Sequence, residues 1–125
     1  MEVGETEETC SRISDLLSRV GDKWTILVIR ALEPAPMRFN ALKRDIGDIS
    51  QKMLAATLRN LERDGFVSRT VTPVTPPMVE YALTDLGRDL LCPVGALASW
   101  TVENAEKIDA ARRAYDSRDG AAAAA

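Results

Sequence analysis

Apolar positions follow a helical period in the first half of the chain, alternate through two short stretches, and return to a helical period at the end. Ile13, Leu16, Leu17 and Val20 fall at i, i+3, i+4 and i+7, one face of an amphipathic helix, and Gly21 closes the run. Asp22 is suited to cap a second helix, KWTILVIRAL, in which Trp24, Ile26, Leu27, Val28, Ile29 and Leu32 leave almost no polar face. A helix apolar all round is buried on all sides. In so small a domain that points to packing against a partner subunit as well as the chain's own core. Pro34 and Pro36 end the run. A short helix, FNALKRDI, then turns Phe39, Leu42 and Ile46 inward, Gly47 and Asp48 make a turn, and Ser50 is a good N-cap for a fourth helix. Leu54, Leu58 and Leu61, with Met53, form the inward stripe of that helix, and Gly65 suits the left-handed position after its end.

The period then changes to two. FVSRTVT is alternating and β-branched, and VEYAL sets Val79, Tyr81 and Leu83 on one face. The intervening PVTPP cannot join a central sheet, so the pair reads as a hairpin with a stiff, proline-rich tip. Thr84 caps a last helical run through Leu86, Leu90 and Leu91, which Pro93 should kink or restart. Val94, Leu97, Thr101, Ala105, Ile108 and Tyr115 continue the stripe. Two short helices meeting at a glycine-containing turn, followed by a hairpin, describe a winged helix-turn-helix. The expected fold is mainly α with a small β-hairpin wing. Residues 1–9 read as a flexible acidic arm, 10–116 as one domain, and 117–125, with the low-complexity GAAAAA, as a flexible tail.

Length and composition change little in this picture. At 125 residues, 46% hydrophobic and 28% charged, the chain is expected to be one globular domain. No apolar run approaches the roughly 18 residues of a membrane span, and the acidic start is no signal peptide, so a cytoplasmic location is expected, without membrane partners. The absence of histidine removes the commonest metal ligand and general base. With no phosphate loop and no nucleophile–base pair, no catalytic site, metal or cofactor is expected.

Charge changes the picture more. The net charge of −3 argues against a nucleic-acid partner, but its distribution argues for one. Four glutamates fall in the first eight residues, whereas Arg38 to Arg69 holds seven basic residues against four acidic. The helix after Ser50 carries Gln51, Lys52, Arg59 and Arg63 outside its leucine stripe. Basic residues on an exposed helical face are commonly just solvated; here the helix-turn-helix order gives them a role. In a DNA major groove Gln51 can pair with adenine and Lys52 can donate to guanine acceptors. Ala55 and Ala56 permit close approach and contact with a thymine methyl. Arg59 and Arg63 suit phosphates, as do Arg38 and Lys43 around the supporting helix and Arg69 on the wing strand.

These segments resemble the HxlR-type winged helix transcriptional regulators from Cys10 to about Trp100. The matching motifs are Gly21, Lys23 and Trp24; Arg38 to Asn40; Ile49 to Leu54; and Val79 to Thr84. Asn40 and Ser50, lying within them, join the expected DNA-contacting set. The resemblance implies a homodimer on a promoter operator, with the first and last helices forming the interface and the wing approaching the minor groove. Ile13, Leu17, Trp24, Leu97, Trp100 and Ile108 are the expected interface residues. Met78 stands where relatives often have a basic residue after the paired prolines, which weakens a wing-tip contact to DNA.

Cys10 and Cys92 form no disulfide framework within a chain of this kind. The resemblance implies a sensor of oxidants or electrophiles at Cys10, at the start of the first helix, where the helix end favours an anion. Cys92 reads as a small buried hydrophobe, or as the disulfide partner of Cys10 across the dimer. Two alternatives stand beside the redox-responsive regulator: a regulator answering a small non-redox ligand, and a winged helix that binds protein rather than DNA. Trp24 and Trp100 could line an effector pocket, though core and interface packing is their ordinary use.

Overall fold

The computed structural model describes the backbone of residues 7–124 and the side chains of residues 10–118. The element order is α1 (Glu7–Val20), α2 (Lys23–Ala31), α3 (Phe39–Ile46), α4 (Gln51–Arg63), β1 (Val67–Thr72), β2 (Met78–Leu83) and α5 (Asp85–Ala124). Helix α1 begins three residues before Cys10, inside the stretch read from sequence as an arm; residues 1–6 of that arm lie outside the described residues. The backbone of α5 continues to Ala124, where a tail was expected from residue 117; alanine is the strongest helix former, and five end the chain. Pro93 sits inside α5 and leaves the carbonyl four residues back without its helical donor. The chain divides after Leu91 into two compact units, described separately.

The core of the first unit is built by α2, α3, α4 and the base of the hairpin. Val28, Ile29, Leu32, Leu42, Leu54 and Leu61 are wholly buried, with Leu58, Ile49, Val67, Leu83 and Phe66 closing around them. Each fully buried leucine or isoleucine contributes about 1.5–3 kcal/mol. The side of α2 bearing Trp24, Ile26 and Leu27 is only partly covered, so the single chain does not bury this helix all round. Met53 leaves the expected inward stripe of α4 and is 46% exposed. On α1, Leu17 is 63% exposed, and only Ile13 and Val20 of its stripe are partly covered.

The hairpin pairs Val67 with Leu83 through Thr72 with Met78, leaving the proline-rich five residues as its tip. Met37, just before α3, forms an additional antiparallel bridge to Tyr81, with N–H···O distances of 2.9 and 2.8 Å in the two directions. This third short strand ties the wing to the start of the supporting helix.

The join between hairpin and α5 is equally close. Thr84 Oγ1 donates to the Gly65 carbonyl at 2.6 Å and accepts from the Gly87 N–H at 3.1 Å. Gly87 is buried, and a Cβ there would lie 2.1 Å from the Phe66 carbonyl oxygen. The obstacle is backbone, so it cannot rotate away. Gly87→Ala is therefore expected to lower unfolding stability by about 1–3 kcal/mol, read by urea denaturation at fixed protein concentration, whereas Gly95→Ala, whose Cβ would meet nothing within 4 Å, should cost nothing.

Candidate nucleic-acid interface

The interface is organised by how α4 starts and which way it faces. Gly47 takes φ +91° between α3 and α4, a conformation that favours glycine. Ile49 is then buried and Ser50 caps α4, its Oγ accepting from the Met53 N–H at 3.0 Å. The cap and the anchored isoleucine fix where the first turn begins. The leucines at 54, 58 and 61 fix its rotation, and Gln51, Lys52 and Arg59 are left exposed. Ala55 is partly covered on the same side, where it borders an open cleft of about 390 Å³ with Arg59, Glu62, Arg69 and Tyr81.

Ala56 lies elsewhere. It borders a second cleft of about 260 Å³ with Asp15, Arg19, Asp22 and Asn60, between α4 and the first two helices. Its methyl group thus faces α1 and α2, away from the side bearing Ala55. Arg63 is exposed on the last turn of α4 and borders none of the clefts described. At the end of that helix Arg19 Nε meets Asp64 Oδ2 at 2.9 Å. That oxygen is shut off from solvent and lacks an aligned hydrogen bond, so the contact is ionic.

Around α3, Arg38 and Asn40 border a cleft of about 420 Å³ with Phe39, Arg44, Pro77 and Val79. Lys43 is half-buried beside Asn40, Arg44 and Gly47. Arg44 and Tyr81 are absent from the set read from sequence. The hairpin register would have revealed Tyr81, since it places Tyr81 directly opposite Arg69. Among the described residues, none of the seven cations from Arg38 to Arg69 is held in an ion pair with a carboxylate. A capped helix bearing an amide and a cation on its first turn, flanked by unneutralised arginines and a hairpin, can read base edges and grip phosphates together.

The HxlR-like helix-turn-helix family profile matches residues 19–109. The chain belongs to that family. HxlR-type proteins are transcriptional regulators with a DNA-binding helix-turn-helix, not enzymes. The chain is 44% identical over 98 residues to the HTH-type transcriptional regulator YtfH of Escherichia coli K12, covering 78% of each chain. The solved structure of a YtfH from Salmonella typhimurium superposes with a TM-score of 0.75 at 41% identity, covering 90% of this chain and 99% of that one. The redox regulator HypR in its reduced form superposes with a TM-score of 0.73 at 34% identity, over 79% of this chain and 98% of HypR. No helix among the described residues of this HxlR-type chain is long and apolar enough to cross a membrane.

The cysteines differ from the sequence reading in two respects. Cys10 is the fourth residue of α1 rather than its first, because the helix extends back to Glu7. Cys92 is exposed in the single chain rather than buried, because it lies off the side of α5 on which Leu90, Leu91 and Val94 are covered. Of the other expected interface residues, Leu97 and Trp100 are about half exposed, and Trp24 and Ile108 are partly covered.

Ser50 makes a direct test of how α4 is set. Ser50→Ala removes the acceptor for the Met53 N–H and should lower stability by about 1 kcal/mol, measured by thermal unfolding, while Ser50→Asp should retain most of it.

Proposed function

We propose that this regulator acts as a homodimer that binds an inverted-repeat operator, each α4 entering one major groove with half-sites about one helical turn apart. One observation carries the reading: the first turn of α4 holds Gln51 and Lys52 exposed while its leucines are locked into the core. Gln51 and Lys52 read bases. Arg38, Arg59, Arg69, Lys43 and Arg63 contact phosphates, Asn40 and Ser50 support the approach, and Ala55 lets the helix come close. The exposed leucines of α1 and the exposed Leu97 and Trp100 of α5 are the apolar surface from which the two protomers associate. A winged helix serving only protein contacts has no need of this basic reading face.

The test is binding of the purified protein to its own upstream DNA and to random duplex across a salt titration. A preference for the upstream duplex with a steep negative salt slope is expected; no binding to either at low salt overturns the reading. Gln51→Ala and Lys52→Ala should each reduce the preference by about 1–3 kcal/mol, with random-duplex binding less affected. Equal losses on both duplexes would remove the residue from base reading.

The signal we favour is oxidation at Cys10, supported by the exposure of both thiols and by likeness to HypR, itself described as a redox regulator. Oxidation joins Cys10 Sγ of one protomer to Cys92 Sγ of the other, the two thiols giving two electrons and two protons to an oxidant such as diamide. Non-reducing electrophoresis of diamide-treated protein should show a covalent dimer that Cys10→Ser abolishes, with DNA binding altered in parallel. A monomer band alone would overturn the disulfide.

A further inference from the structure

The cleft between α4 and the wing gathers hydrogen-bond donors from two elements. Its floor and walls are Ala55, Arg59 and Glu62 of α4 and Arg69 and Tyr81 of the hairpin. Arg69 and Tyr81 are opposite each other across the strands, so their side chains leave the same face of the hairpin side by side. Arg59 stands on the exposed side of α4, one turn after Ala55, whose methyl leaves the space between open. Among the described residues, neither guanidinium is in an ion pair and the Tyr81 hydroxyl makes no hydrogen bond. The backbone of Tyr81 is pinned in both directions to Met37. Its ring is therefore carried by the most firmly tied point of the wing.

We propose that Arg59, Arg69 and Tyr81 hold one and the same backbone phosphate of bound DNA, at the ridge between the groove entered by α4 and the groove beneath the wing. The inference rests on the DNA-binding reading above and assigns Tyr81 a part in it. The two guanidinium groups supply donors only and the phenol can donate its O–H, which suits phosphate oxygens. Glu62 borders the same cleft and leaves its lining one positive charge in surplus. That balance matches a singly charged phosphodiester and disfavours a terminal phosphate carrying more charge. The wing from Thr70 to Val79 has no charged residue, so its electrostatic hold on the duplex comes from this cleft at its base, not from its tip.

A shared phosphate has a signature that two separate contacts lack. The salt slope counts neutralised phosphates, at about 0.9 per phosphate on B-DNA. If Arg59 and Arg69 grip one phosphate, the double variant Arg59→Ala/Arg69→Ala loses about 0.9 of slope in total; two phosphates would cost about 1.8. Tyr81→Phe keeps the ring and removes only the donor. It should weaken binding to upstream and random duplex alike by about five- to tenfold, with slope and thermal unfolding unchanged. The measurement is fluorescence anisotropy with both duplexes from low to moderate salt. A slope loss near 1.8, or a Tyr81→Phe protein that binds like the wild type, overturns the clamp while leaving the regulator reading intact. Failure of the wild type to bind either duplex overturns both.

Discussion

The interaction on which the rest depends is the burial of the leucine stripe of α4 against α2 and the base of the hairpin. Leu54, Leu58 and Leu61 are almost completely withdrawn from water, as are Val28, Ile29 and Leu32 opposite them. Rotating α4 by even one residue position would expose a leucine and drive a polar side chain inward, at a cost of several kcal/mol. The rotation of the helix is thus settled by apolar packing, and the direction of Gln51, Lys52 and Arg59 follows from it. Ile49 and the Ser50 cap settle the remaining freedom, where the helix starts.

Most of this was legible in the sequence because each part has a local signature. The stripe has a helical period, the cap is a serine just before it, and the wing alternates around a proline-rich turn. The bounds of α2, α3, α4 and the hairpin follow those signals closely. What was not legible depends on neighbours distant in sequence. Met53 fits the apolar pattern of α4, yet it is left 46% exposed in the single chain. The Met37–Tyr81 bridge joins segments more than forty residues apart and has no signature in either. For the same reason the sequence placed Tyr81 on one face with Val79 and Leu83 but not beside the basic residues of α4. Ala56 looked equivalent to Ala55, but one residue moves a side chain well around a helix, and it borders α1 and α2 instead.

The charge of the chain illustrates the same limit. A net −3 describes the whole molecule and misleads about the part that matters. Salt screens exposed charges over roughly 8–10 Å, so a ligand at α4 responds mainly to the cations around it.

The two faces of α4 share a helix and no residues. Surface changes away from packed or capping positions usually alter stability by less than about 0.5 kcal/mol, so Gln51 and Lys52 are free to drift in evolution while the leucines behind them are not. On the proposed base-reading role of Gln51 and Lys52, a lineage would acquire a new operator by exchanging these two exposed side chains, without passing through an unstable ancestor. The fold would then be inherited long after the genes it governs have changed.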